Sequence, residues 1–199
     1  MKDDFWNQRY AEPGFAYGLE PNLFLKEQVE RLPDEAKILV PADGEGRNAI
    51  FLARQGFEVV SFDASEVGVQ KARTLAEQHG LEIDARACSA QDFDFGESRY
   101  DAVALIFFHA PPEVRRYVHK QTLKCLKPNG LVLLNAFSVE QLGRESGGPK
   151  NKQMLFTEEL LREDFSSCSK LTVQSYTASL NEGPYHRGEA CLLSLVGSK

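Results

Sequence analysis

The strongest constraint on the fold is the regular alternation of short apolar segments and amphipathic segments between residues 37 and 136. The apolar segments predict strands, and the segments between them have the apolar spacing, capping residues and terminal glycines of helices. Strand, helix and strand repeated in this way predict a mainly parallel, doubly wound α/β sheet. The predicted strands are Lys37–Ala42, Phe57–Asp63, Leu81–Cys88, Tyr100–Phe107 and Leu131–Ala136. The predicted helices are Pro21–Leu32, Arg47–Gln55, a segment capped by Ser65 that ends at His79, and a segment from Pro111 to Leu126, with a turn at Lys127–Gly130.

The chain beyond residue 140 has a different pattern. A short helix is predicted at Glu158–Asp164, and two alternating segments, Lys170–Leu180 and Ala190–Val196, flank turn residues and predict an antiparallel hairpin. We find no repeat or linker in the 199 residues and predict one domain. It consists of an N-terminal lid or helix (1–35), a cofactor-binding core (36–137) and the C-terminal helix with its hairpin (138–199).

Charge and composition narrow the possible partners. The chain has 23 Lys and Arg against 29 Asp and Glu, and its net charge of −6 disfavours a general nucleic-acid binder. The first residues lack the pattern of a signal peptide, and no apolar run approaches the roughly 18 residues of a membrane helix. Four cysteines lie far apart without the spacing of metal ligands. We expect a cytoplasmic monomer or homodimer with free thiols, no metal, and no nucleic-acid or membrane partner.

A glycine loop follows the first predicted strand and reads Ala42-Asp43-Gly44-Glu45-Gly46-Arg47-Asn48. Ligands of open α/β sheets bind beyond the carboxyl ends of the strands. Asp63 ends the second strand 19 residues after Gly44, where its carboxylate can accept hydrogen bonds from ribose hydroxyls. Dinucleotide sites and S-adenosylmethionine sites share this pattern, so it predicts an adenosine ligand. A plain tight turn with a solvated Asp63 is the alternative.

Charge distinguishes the two ligands. A dinucleotide places its phosphates at the N-terminus of the following helix. Asp43 and Glu45 would repel them, at a cost on the order of 4 kcal/mol for like charges about 4 Å apart. S-adenosylmethionine carries an ammonium and a sulfonium and no phosphate, so the acidic loop favours it.

Three segments carry a resemblance to a known family: Ile38–Ser65, Tyr100–Ile106 and Leu126–Leu134. With them the chain resembles the class I S-adenosylmethionine-dependent methyltransferases, in particular the TehB-like branch of tellurite-resistance methyltransferases. The resemblance implies strand order 3-2-1-4-5-7-6 with the seventh strand antiparallel, and S-adenosyl-L-methionine as cofactor. Two positions depart from the family pattern: Val40 replaces the usual acid, and Ala42 stands where glycine is more common.

The glycine loop, the predicted strand ends and the resemblance together indicate a set of cofactor-binding residues. They are Tyr17, Ala42, Asp43, Gly44, Gly46, Arg47, Asn48, Asp63, Ala64, Ser65, Ala90, Gln91 and Phe107. The aromatic N-terminal segment with Trp6, Arg9, Tyr10 and Tyr17 resembles the lid of the TehB-like proteins, and plain packing on the domain is the alternative.

Methyl transfer mainly requires alignment of the acceptor with the methyl group. The resemblance implies that His186 and Arg187, in the predicted hairpin turn, orient or deprotonate the acceptor; a merely polar turn is the alternative. His109 follows the fourth strand and is the third catalytic candidate, unless it is simply packed. Residues 143–152 are either a mobile loop or a flap over the acceptor site. We expect His119 and Arg115 to be solvated on their helix.

The leading hypothesis is therefore a methyltransferase for a small-molecule acceptor, with a thiol or chalcogen species suggested by the family. A nicotinamide-dependent oxidoreductase is the second hypothesis. A protein that binds S-adenosylmethionine without catalysis is the third, and Val40 is its best support.

Overall fold

The computed structural model describes residues 2–199, with side chains from Phe5 onward. Seven strands form one sheet in the order β3-β2-β1-β4-β5-β7-β6. The first five strands are parallel, and β7 pairs antiparallel with both β5 and β6. The predicted strand order and the antiparallel seventh strand are confirmed. The strands are β1 Lys37–Pro41, β2 Glu58–Asp63, β3 Asp84–Ala87, β4 Tyr100–Ile106, β5 Leu126–Phe137, β6 Lys170–Asn181 and β7 Arg187–Ser198.

Helices cover both faces of this sheet. They are α1 Lys2–Ala11, α2 Leu23–Gln28, α3 Arg47–Arg54, α4 Glu66–Gln78, α5 Pro112–Cys125 and α6 Glu158–Asp164. Successive residues of β1 serve opposite faces because side chains alternate along a strand. Leu39 belongs to the core that contains Val118 of α5, whereas Ile38 belongs to the core that contains Leu52 of α3. This double burial explains why β1 is apolar from Ile38 to Pro41.

Three boundaries differ from the sequence prediction. The predicted helix 21–32 is an α-helix only as far as Gln28 and then tightens into a 3₁₀ turn before Pro33. The third strand is four residues long rather than eight. The predicted turn at Lys127–Gly130 lies inside β5 as an irregularity, because the pairing jumps from Tyr100–Leu126 to Ala102–Leu131.

Two side chains predicted to be solvated are buried instead. His119 and Arg115 lie on the inner face of α5, where Asp164 of α6 faces both. His119 Nδ1 is 2.7 Å from the Asp164 carboxylate, and the ring packs against Phe165. The prediction was wrong because a partner carboxylate on a distant segment allows polar side chains to be buried, and helix periodicity does not reveal such a partner.

Among residues 2–199, none of the helices combines the length and the apolar character that crossing a membrane requires.

Candidate active site

At the carboxyl edge of the sheet, the loops that follow the strands carry small residues and one aromatic ring; this edge is called the crevice below. Ala42, Ala64 and Phe107 directly follow β1, β2 and β4, and Ala90 lies in the loop after β3. Each of the four keeps part of its surface exposed. Ala42 and Phe107 both have φ +52°, a left-handed conformation that costs on the order of 1–3 kcal/mol outside glycine. The two adjacent central strands therefore end in matching strained residues, as is common at functional sites.

Asp63 is buried at the end of β2, so the solvated alternative is wrong. One carboxylate oxygen accepts the Gly44 N–H at 2.9 Å and the other accepts the Ser65 N–H at 2.8 Å. Burial raises the pKa of Asp63 to about 6. Each carboxylate oxygen has a second lone pair, so the group can accept further hydrogen bonds from a pair of hydroxyls. The side chain fits the ribose of an adenosine ligand.

Asp43 occupies the N-terminus of α3. Its carboxylate accepts hydrogen bonds from the Ala49 N–H and the Asn48 side-chain amide, both at 3.1 Å. Burial raises its pKa to about 7. A carboxylate of the protein therefore already accepts one backbone N–H at this helix end, which disfavours a pyrophosphate there.

Glu45 does not contribute to the charge of the crevice in the way its sequence position indicates. Its carboxylate accepts the Ala16 N–H at 2.7 Å and pairs with Lys71 at 2.8 Å. It therefore attaches the N-terminal segment to α4, and its charge is neutralised there. The electrostatic argument against phosphate depends on Asp43.

Other predicted cofactor residues support the loop from behind. Gly46 precedes α3 with φ +88°, and a Cβ on it would lie 2.5 Å from the Ala72 Cβ, so it allows α3 to pack on α4. Ser65 is fully buried and caps α4 by accepting the Gly68 N–H. These contacts hold the crevice in shape without facing it.

His186 lies in the turn between β6 and β7, in a cluster of aromatic rings. Its ring centroid is 4.5 Å from that of Tyr17, 4.5 Å from that of Phe107 and 5.1 Å from that of Phe137. Nδ1 is 3.3 Å from a carboxylate oxygen of Glu182. Burial lowers the pKa of His186 below its ordinary value, so the imidazole is neutral at pH 7. Phe107 joins this cluster to the crevice.

His109, the third catalytic candidate, has a different environment that favours the packed alternative. Nδ1 bonds to the Met154 carbonyl at 2.7 Å, and Nε2 accepts the Phe137 N–H at 3.2 Å. Burial lowers its pKa to about 4. With both nitrogens used by main-chain groups, the ring has no free position for proton exchange. The ring thereby holds the end of β5 at Phe137, next to the His186 ring.

Arg187 does not accompany His186 into this cluster. It is exposed at the start of β7, and among the side chains described from Phe5 onward its own joins no hydrogen bond or ion pair. A different guanidinium, that of Arg47, contacts the partner of His186, because it donates to Glu182 at 2.9 Å. Sequence analysis missed Glu182 because a carboxylate between two turn residues is typical of an exposed turn.

The N-terminal segment packs on the glycine loop, an arrangement compatible with both the lid and the plain packing interpretation. A Cβ on Gly44 would lie 2.5 Å from the Tyr10 hydroxyl, and the Trp6 and Tyr10 rings stack at 5.5 Å. The Arg9 guanidinium lies 3.5 Å from the centroid of the Tyr185 ring, which links this segment to the β6–β7 turn. The loop 143–152 also borders the site.

That loop is anchored at Ser146, whose buried hydroxyl bonds to the Glu189 carbonyl at 2.6 Å and accepts from Gln141. Gly147 lies against the catalytic candidate: a Cβ there would be 2.7 Å from His186 Cδ2. The loop is thus part of the wall of the His186 cluster.

Comparison with known proteins agrees with this geometry. Residues 38–130 match a methyltransferase domain. A thiopurine S-methyltransferase of Pseudomonas aeruginosa is 30% identical over 172 residues, which cover 75% of this chain and 76% of the relative. The chain belongs to the class I S-adenosylmethionine-dependent methyltransferases. The predicted enzyme class and cofactor are confirmed, and the nicotinamide alternative is set aside.

Solved structures show the same methyltransferase fold. TehB from Haemophilus influenzae has a TM-score of 0.74 at 17% identity, covering all of this chain and 67% of that one. A Burkholderia thailandensis 1,6-didemethyltoxoflavin N1-methyltransferase, solved with S-adenosylhomocysteine, has a TM-score of 0.65 at 22% identity, covering 88% and 76%. At these identities the likeness concerns the fold.

Proposed function

We propose that this methyltransferase methylates the sulfur of a small planar thiol held between Tyr17, Phe107 and His186. The observation that carries the proposal is the buried, neutral His186 packed on Phe107, which itself ends β4 at the crevice. Aromatic walls stabilise flat apolar ligands. The name of the relatives, thiopurine S-methyltransferase, describes a sulfur acceptor on a flat ring system. A chalcogen oxyanion is the second acceptor class to test.

The cofactor site follows from the crevice. Asp63 would accept hydrogen bonds from the ribose hydroxyls, Gly44 would offer a backbone without a side chain, and Ala64, Ala90 and Gln91 would hold the adenine. Asp43, Ala42, Phe107 and Tyr17 would hold the methionine part. Gly46, Arg47, Asn48 and Ser65 keep these groups in place through the contacts described above. When bound, S-adenosylmethionine supplies a methyl group on a positively charged sulfur.

His186 acts as the proton acceptor in this proposal. Glu182 lies next to Nδ1, and no group among residues 5–199 hydrogen-bonds to Nε2. A neutral imidazole accepts the thiol proton at Nε2, so that the sulfur attacks as a thiolate. General base catalysis of this kind typically contributes about 10²–10⁴-fold in rate. An aromatic thiol, which already ionises near neutral pH, needs the base less than an alkyl thiol does.

The test is turnover of the wild type and His186→Ala with matched thiols, phenols, amines and chalcogen oxyanions, measured as S-adenosylhomocysteine formed. We expect thiols to be the best acceptors. His186→Ala should lower the rate about 10²-fold or more for alkyl thiols, and less for aromatic thiols. His79→Ala, which changes an exposed histidine, is the control and should match wild type. Unchanged thiol turnover in His186→Ala refutes the proposed mechanism.

A cytoplasmic location, a monomeric or homodimeric state and the lack of a nucleic-acid partner stay predictions from the sequence.

A further inference from the structure

Glu182 is the meeting point of three segments that are distant in sequence. Its carboxylate accepts from the Arg47 guanidinium at 2.9 Å and from the Asn22 amide at 3.3 Å, and it lies 3.3 Å from His186 Nδ1. The side chain is only 11% exposed. A buried carboxylate is costly unless its lone pairs are used, and here each partner uses one.

The partners of Glu182 are themselves fixed. Arg47 also donates to the carbonyls of Tyr17 and Glu20, and the Asn22 amide also donates to Asn135 Oδ1. The carboxylate therefore has little freedom to turn away from His186. The hydrogen bond to His186 and the Arg47 guanidinium keep the pKa of Glu182 below its ordinary value in spite of its burial. It is a fixed negative charge beside the imidazole.

We propose that Glu182 is a positioning residue for methyl transfer, which holds the Nδ1–H tautomer of His186 so that Nε2 faces the acceptor. The inference rests on the proposed function of His186 and deepens it. A carboxylate hydrogen-bonded to Nδ1–H orients the ring and stabilises the imidazolium that forms when Nε2 takes a proton.

The charged and titratable groups around His186 act in opposite directions. Glu182 in the turn favours the imidazolium, whereas Arg47 of α3 and Arg9 of α1 disfavour it. His109, beyond Phe137, and Tyr17, on the N-terminal segment, also lie against the cluster. Removal of the Glu182 charge lowers the pKa of His186, and removal of the Arg9 charge raises it.

The experiment compares Glu182→Gln, Arg9→Met and wild type with an alkyl thiol acceptor over a pH series. Glutamine keeps the shape and accepts from Arg47, but it carries no charge. We expect Glu182→Gln to lower kcat about tenfold or more and to move the acidic limb of the profile to lower pH. Arg9→Met should move that limb to higher pH. Glu189→Gln, an exposed carboxylate on the same hairpin, should leave the limb in place.

A second readout does not depend on turnover. Nitrogen-15 NMR of histidine-labelled protein, with His186→Ala to assign the signal, should show the Nδ1–H tautomer in wild type and a lower pKa or mixed tautomers in Glu182→Gln. If the pKa and the tautomer of His186 are unchanged in Glu182→Gln while His186→Ala is inactive, the role of Glu182 is refuted and the proposed function of His186 is not. Full activity of His186→Ala overturns the proposed function instead.

Discussion

Replacement of Asp43 by asparagine tests whether the crevice has the electrostatic character described above. The pKa of Asp43 in the fold is about 7, against an ordinary value of 3.8. Because the folded pKa is the higher one, the folded protein binds this proton more tightly than the unfolded chain does. The resulting stabilisation is fully present below pH 3.8 and is lost as the pH rises through 7. Asparagine does not titrate, so the variant lacks this pH dependence.

The size of the effect follows from the shift of roughly three pKa units. Each unit corresponds to about 1.4 kcal/mol. Over the accessible range from pH 5 to pH 8, the free energy of unfolding of wild type should therefore fall by about 2–3 kcal/mol relative to Asp43→Asn. For a domain of this size the change moves the relative melting temperature by roughly 5–10 °C.

Urea unfolding of both proteins without cofactor at pH 5, 6, 7 and 8 measures this difference. Asp94→Asn, which removes an exposed carboxylate paired with Arg99, is the control and should show no comparable trend. A constant difference between wild type and Asp43→Asn across the series would mean that Asp43 is well solvated, and it would refute the raised pKa of this carboxyl group.

Three further predictions concern neighbouring residues. Asp63→Asn should weaken S-adenosylmethionine binding by about 1.5–3 kcal/mol in a calorimetric titration. The reason is that the variant lacks the charged carboxylate, which accepts the Gly44 N–H and, in our proposal, the ribose hydroxyls. Unchanged affinity would contradict the proposed ribose contact. Gly46→Ala should cost about 1–3 kcal/mol more stability in urea than Gly80→Ala, since both have positive φ but only Gly46 meets a neighbour; equal losses would refute the packing role. In nitrogen-15 NMR, His109 should stay neutral above pH 5, consistent with its pKa of about 4; titration near pH 6.5 would contradict its double main-chain bonding.

Local patterns predicted the fold well because they encode it directly. The alternation of strands and helices, the cap at Ser65 and the acid at Asp63 all appear at the expected places. The positions of the proposed cofactor residues were predictable for the same reason, because they lie at strand ends, which are visible in the sequence. The bonding of His109 and the turning away of Glu45 were not, since both depend on partners brought close only by tertiary packing.

The Glu182 junction illustrates the limit of sequence analysis most clearly. A glutamate four residues before a histidine in a polar turn has no distinguishing pattern. Arg47 and Asn22 both donate hydrogen bonds to Glu182. In the sequence, however, Arg47 belongs to the glycine loop and Asn22 to the start of a helix, and neither position indicates Glu182 as a partner. Only the assembled sheet shows that these side chains meet.

Asn22 and Glu182 are 160 positions apart, yet they share one hydrogen bond beside His186. During synthesis on the ribosome, β1, β2 and β4 with their crevice emerge long before the β6–β7 hairpin. A partly made chain therefore contains every residue of the proposed methyl-donor site before His186 and Glu182 of the proposed acceptor site have been synthesised. In our proposal, the residues that bind the donor precede, in the order of synthesis, the last side chains needed for the acceptor.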